Sequence, residues 1–207
     1  REKESLLKVG LKISKSLTAD DTGLRHRGSN GYCTNISNDF FAYFKSTASK
    51  SRLNFLEILR GDDKRYNITG YSMDYYKNQK ISENHLKLLK ASKGKEFNDK
   101  EEWEQHLKLL GIRDEYTVRK ATEGALMGRI QRNINPGLAV VSDDAGQFDI
   151  LRHGLCWCHA ERTITSINTV SYEQDMWRNE ILDKYWELFR SLHDFKRAPT
   201  NEKRDEI

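Results

Sequence analysis

The sequence has no apolar run approaching eighteen residues, so no membrane-spanning helix is written into it. Proline is nearly missing, 2 in 207 residues, and glycine is modest at 13, which excludes collagen-like chains and Pro/Gly linkers. Cysteine occurs three times, at Cys33, Cys156 and Cys158. So sparse and odd a count is a poor disulfide framework, and a reducing cytoplasm is the expected compartment. Charge of one sign does not dominate. There are 35 Lys+Arg against 31 Asp+Glu, a net +4 that allows a polyanionic partner without requiring one. No repeat, low-complexity tract or signal-like segment is visible. The chain starts at Arg1 and stops in a charged run, and is expected to be a fragment of a longer protein.

What is present is a chain of 207 residues with 10% aromatics, long enough to bury a core and too aromatic for disorder. Residues 1–15 read as an incoming helix or linker, lysine-rich with Leu6, Leu7, Val9, Leu11 and Ile13. Over 16–48, β-branched and aromatic runs are broken by Gly28-Ser29-Asn30-Gly31 and Asn38-Asp39. That pattern predicts a three-stranded antiparallel meander. Ser51 caps a helix over 51–60, with Leu53, Leu56 and Leu59 on one face and Gly61 stopping it. Residues 16–61 thus form the first part of a core. Residues 62–135 read as an almost strand-free helical insertion. Asn98 and Glu101 have capping-box spacing ahead of Trp103, Leu107 and Leu110, and a second helix runs from about Thr117 to Ile130. The second part of the core, 136–207, opens on Leu138–Ser142, a short apolar strand of the kind buried on both faces. Helices follow it. Ser171 and Gln174 form another capping box, and Tyr172, Met176, Ile181, Tyr185, Leu188, Leu192 and Phe195 mark a stripe. The fold class is α/β.

Two strand ends match each other. One apolar strand ends at Asp20 and another at Asp143, and each Asp is followed by a second Asp and a small-residue turn. If the strands are parallel neighbours, the two carboxylates converge in the crevice beyond the sheet. Such a pair repels itself unless a cation sits between. Mg²⁺ or Mn²⁺ suits hard oxygen ligands, and two ions roughly 3.5–4 Å apart serve phosphoryl transfer. Asp20 and Asp143 are therefore the candidate catalytic and metal-ligating residues. Taken singly, each acidic pair also reads as ordinary turn chemistry.

These residues carry a family resemblance. Ala19-Asp20-Asp21-Thr22-Gly23-Leu24-Arg25 resembles the first-aspartate motif of bacterial insertion-sequence transposases of the sixty-six type. Val141-Ser142-Asp143-Asp144-Ala145-Gly146-Gln147-Phe148 resembles their second-aspartate motif, and His153–Arg162 the C-x-x-H segment after it, with Cys156 and His159 as its signature. Thr122-Glu123-Gly124-Ala125-Leu126 is similar to a stretch in related transposases with a helical insert. The resemblance covers roughly residues 17–195. It implies a ribonuclease H-like mixed sheet and a DDE triad that uses two Mg²⁺ (or Mn²⁺) ions. It also implies transposon-end and target DNA as partners, a homodimer on paired ends, and a bacterial, nucleoid-associated location with no membrane partner. Asp21 stands where the family has Glu. The third acidic residue is expected beyond residue 207, since none of Glu173, Glu180, Glu187 or Glu202 has its context. The alternatives are a non-catalytic transposase remnant that binds DNA or itself, and a different ribonuclease H-like nuclease.

Other candidates are weaker. Cys156, Cys158 and His159 form C-x-C-H without a second ligand pair, poor spacing for structural zinc. Following the resemblance, Cys156 is expected to pack as a small buried hydrophobe and His159 to orient the turn after the Asp143 strand. Arg25, His26, Arg27, Lys45, Lys50 and Arg52 are candidate phosphate partners near the active edge. Trp177 and Trp186 read as packing residues.

Overall fold

Glu2–Ile13 form a helix (α1) that turns Leu7 and Leu11 inward. Three strands follow, Ser16–His26 (β1), Ser29–Ser37 (β2) and Ala42–Thr47 (β3), paired antiparallel as the alternation predicts. The first reversal is tighter than the Gly28–Gly31 signal suggests. His26 already pairs with Ser29, and the turn uses Gly28 at φ +81, the left-handed region that glycine enters without penalty. The computed structural model describes residues 2–26 and 28–207, and for His26 and Glu206 the backbone alone. Arg27 and the His26 side chain, two of the candidate phosphate partners, lie outside the description.

Arg52–Arg60 (α2) begins and ends where expected. The Ser51 side chain accepts from Asn54 N, and Gly61 closes the helix at φ +65. The insertion, read as almost strand-free, carries one short ribbon. Tyr66–Asn67 (β4) pairs antiparallel with Glu96–Phe97 (β5), on either side of Gly70–Asn78 (α3) and Glu83–Ala91 (α4). Two-residue strands are too short to show a period. What fixes them is burial of Tyr66 and Phe97 on Trp103, with ring centroids 5.9 Å and 5.2 Å away. Lys100–Leu109 (α5) is capped by Asp99, not Asn98. Asp99 accepts from Glu102 N at 2.9 Å, and the Glu102 carboxylate reaches back to Asn98 N at 2.7 Å. Glu115–Ile130 (α6), capped by Asp114, buries Ala121, Ala125, Leu126, Met127 and Ile130 against α2, α3 and β4.

An ion cluster ties α6 to the loop after α2. Arg129 pairs with Asp63, Arg65 with Asp63 at 3.0 Å and with Glu96 at 3.0 Å, and Arg132 with Glu96 at 3.2 Å. Partial burial pushes the Asp63 carboxyl pKa up, but hydrogen bonds from Arg65 and Arg129 prevail and hold it far below the ordinary value.

Ala139–Ser142 (β6) lies parallel to β1, with Ser16, Leu17 and Thr18 opposite Ala139, Val140 and Val141. Arg152–Leu155 (β7) completes a mixed five-stranded sheet in the order β3-β2-β1-β6-β7. Burial alternates along β6 rather than covering both faces. Val140 and Ser142 are buried, while Ala139 and Val141 are partly exposed. Leu17, Ala19, Ile36, Tyr43 and Val140 form the covered face, packed in one core with α1, α2 and α6.

Contacts divide the chain into two units, Arg1–Gly154 and Leu155–Ile207. In the second unit, Trp157–Thr165 (α7) packs on Tyr172–Arg197 (α8), and Asn201–Glu206 (α9) follows. The Trp157 ring meets Tyr185 at 4.6 Å and Phe189 at 5.3 Å, and Trp186 donates to Glu161 at 3.0 Å. Trp186 is therefore a packing residue, whereas Trp177 is exposed. Ser171 caps α8, but the Gln174 side chain accepts from Val170 N, one residue earlier than in a capping box. Among the described residues no helix is long and apolar enough to cross a membrane.

Candidate metal centre

The parallel register builds the site. Thr18 stands opposite Val141, and Asp20 and Asp143 each lie two residues further on, so both fall on the face away from the helix-covered core. Their nearest carboxylate oxygens are within 4.8 Å of each other. One Asp143 oxygen accepts from Ala145 N at 3.1 Å, an Asx turn that begins the loop after β6. The Asp20 carboxylate has no hydrogen bond or ion pair among the described residues.

Asp20 is not at a strand end, however. β1 continues through Asp21, Thr22 and Gly23 to His26, paired with β2 throughout. The pairing with β6 is what stops, at Thr18. Asp20 thus sits just past the parallel ladder but inside a longer antiparallel hairpin. Asn35 faces it across that hairpin, and its Oδ1 is buried with no hydrogen-bond partner among the described residues.

This donor set fits a hard divalent cation. Two carboxylates with free oxygen positions repel one another without a cation, and Asn35, with its amide oxygen unpartnered among the described residues, stands opposite Asp20 on the neighbouring strand. Magnesium- and manganese-type ions take such oxygen ligands, with substrate phosphate and water filling the remaining positions.

Asp21 plays a different part from its neighbour. Alternation turns it to the opposite face, where it accepts from Thr34 Oγ1 at 2.5 Å and from Gln147 Nε2 at 3.1 Å. Arg52 faces inward. Its Nε donates to Gly146 O at 3.1 Å, and its Nη1 donates to Tyr75 OH at 3.1 Å. Burial and a hydrogen bond to Glu123 push the Tyr75 hydroxyl pKa up, which keeps it a donor. Two further candidate phosphate residues are also engaged. Lys45 pairs with Glu4 at 3.5 Å, and Lys50 lies over the Tyr32 ring at 5.7 Å. Arg25 is exposed.

No protein-family model matches the chain, and no solved structure matches it. The chain is similar to a protein of Sinorhizobium fredii (strain NBRC 101917 / NGR234) called uncharacterized protein y4jO, at 33% identity over 197 residues. The match covers 94% of this chain and 61% of the relative, so the chain spans about three-fifths of that protein's length.

Ser142 and His153 suggest a nucleophile–base pair at first sight, with Ser142 Oγ 2.8 Å from His153 Nε2. The hydroxyl is buried, though, and donates to Asp143 O at 2.8 Å. The nearest carboxylate to His153, Asp149, is 3.8 Å away, too far to orient the ring by a hydrogen bond. The pair fastens β7 to the end of β6 instead. In the second unit, Cys156 is the N-cap residue of α7 and is half-buried rather than packed as a core hydrophobe. Burial raises its thiol pKa, but hydrogen bonding to His159 and to the backbone N–H groups of Cys158 and His159 outweighs this, and the net shift is downward. His159 lies within α7, where its carbonyl accepts from Thr163 Oγ1 at 3.1 Å, and it faces the Cys156 thiol.

Sequence reasoning missed Gln147, Thr34 and Asn35. A period-two reading past Asp20 would have assigned Asp21 to the other face, but its bond to Gln147 spans 126 residues and leaves no local signal.

Proposed function

We propose that this chain carries the catalytic core of a DDE-type transposase, a metal-dependent enzyme that cuts and joins DNA at transposon ends. The observation that carries this reading is the approach of Asp20 and Asp143 to within 4.8 Å, from strands 123 residues apart (143 − 20). The order β3-β2-β1-β6, with β1 antiparallel to β2 and parallel to β6, agrees with a ribonuclease H-like sheet. The Asp20 and Asp143 motifs and their C-x-x-H follower lend the reading its family.

Asp20 and Asp143 would hold two Mg²⁺ or Mn²⁺ ions. Such ions, when bound, neutralise phosphate charge and activate a water or a DNA 3′-hydroxyl for in-line attack. Asp20 contributes negative oxygens from within β1 and Asp143 from the loop directly after β6, which reduces the reorganisation needed when phosphate arrives. Asn35 offers a neutral oxygen across the hairpin from Asp20. The phosphodiester then exchanges one oxygen for another, and positioning does most of the work. DNA is the proposed substrate, and self-association on paired ends belongs to the same reading.

Strand transfer by the intact protein, with Mg²⁺ or Mn²⁺ and 3′-hydroxyl DNA ends, tests this. Asp20→Asn and Asp143→Asn should each abolish joining, by at least roughly a thousandfold, while the circular dichroism spectrum stays unchanged. Joining that survives in either variant defeats the assignment. Cutting without joining points to a nuclease of another kind, and binding without cutting to a remnant.

A further inference from the structure

We propose that Asp21 and Gln147 form a clamp that sets where the Asp143 carboxylate stands, with Asp21 as a positioning residue. The proposal rests on the metal-site reading of Asp20 and Asp143. Asp143 is on a loop, and loops hold ligands less firmly than strands do. This loop is fastened on two sides. Gln147, four residues after Asp143, donates to Asp21 at 3.1 Å, and Asp21 is held in turn by Thr34 at 2.5 Å. Gly146 O is taken by Arg52, which is braced by Tyr75 OH at 3.1 Å and Gln79 at 3.4 Å. Between these anchors the Asx turn of Asp143 onto Ala145 N sets the carboxylate's direction.

The clamp has a second effect. Asp21 adjoins a metal ligand in sequence, but strand alternation turns it to the other side of the sheet. Hydrogen bonds from Thr34 and Gln147, one on each oxygen, keep it committed to the opposite face. Outer partners of this kind tune ligand geometry, and losing one typically weakens metal binding roughly ten- to a hundredfold.

The test uses the 207-residue chain, with Mn²⁺ affinity from titration calorimetry and amide exchange at Ala145 and Phe148 as separate readouts. Gln147→Glu sets two carboxylates against each other. It should weaken Mn²⁺ binding roughly ten- to a hundredfold and speed exchange in the loop. Asp21→Asn combined with Gln147→Glu exchanges donor and acceptor across the same contact and should restore both. Unchanged exchange in Gln147→Glu, or faster exchange with unaltered Mn²⁺ affinity, overturns the clamp. If Gln147→Glu does not fold, the double variant decides: failure to fold and bind Mn²⁺ like the parent overturns it too. Asp143→Asn is the control. If it leaves Mn²⁺ binding intact, or the parent binds none, the metal site itself fails and the clamp with it. If it removes binding while Gln147→Glu does not, the clamp alone is wrong.

Discussion

A carboxyl group held between two guanidinium groups, as Asp63 is between Arg65 and Arg129, surrenders its proton more readily than one in water. Its folded-state pKa lies well below the ordinary 3.8. The stabilisation is therefore complete above that ordinary value and is lost as pH falls from it toward the folded-state value. Asp63→Asn should flatten the acid limb of a stability–pH curve below about pH 4. At neutral pH it should cost about 3 kcal/mol by urea denaturation, because Arg129 is 8% exposed and, among the described residues, Glu96 at 3.5 Å is its other carboxylate partner. None of this cluster could be read from the sequence, since Asp63 and Arg129 are 66 residues apart and sit in an unremarkable charge pattern. Asp20 and Asp143 were legible, because each follows an apolar run and precedes a second acid. The differing duties of Asp20 and Asp21 were not, because they depend on Thr34 and Gln147.

Among the elements, α6 shows how small residues set packing. Ala121, Gly124, Ala125 and Gly128 recur on its buried side. A Cβ added at Gly124 would come within 2.1 Å of the Tyr76 ring, and one at Gly128 within 2.5 Å of the Asn67 carbonyl oxygen. Exchanging glycine for alanine inside a helix normally stabilises it by about 1 kcal/mol. At Gly128 the sign should reverse, since the backbone of β4 cannot move aside. Gly128→Ala is expected to lose about 1–3 kcal/mol in thermal or urea unfolding. Helices α2, α5, α6 and α8 were legible from apolar spacing, with Ser51, Gly61 and Ser171 acting as read, whereas α3, capped by Thr69, and α4, capped by Ser82, were not picked out within the helical insertion. The β4–β5 ribbon was not, because its two residue pairs are fixed by Trp103 rather than by any pattern of their own.

For the whole molecule, topology was more legible than surface chemistry. The meander and the late apolar strand follow from local patterning, and right-handed, unknotted connections leave few places for β6 except beside β1. The basic residues near the site were read as candidates of which some would neutralise phosphate, and Lys45 and Arg52 are engaged with protein partners instead. Among the described residues of this group, Arg25 and Lys50 remain for DNA. Duplex affinity measured by fluorescence anisotropy should still fall with salt, but shallowly. A footprint of two or three phosphates predicts roughly a ten- to fortyfold loss between 50 and 200 mM KCl. A much steeper slope would mean a larger basic surface than Arg25 and its neighbours provide.

The three-residue ladder between β1 and β6 has one more consequence, for how such a chain can change length. Side chains alternate along a strand, so adding or deleting one residue between Ala139 and Asp143 would rotate the acid to the helix-covered side and separate the pair. The turns between the helices of residues 70–130 carry no such parity. Descendants of this sequence can grow there freely, while the approach to the second aspartate is fixed to the residue.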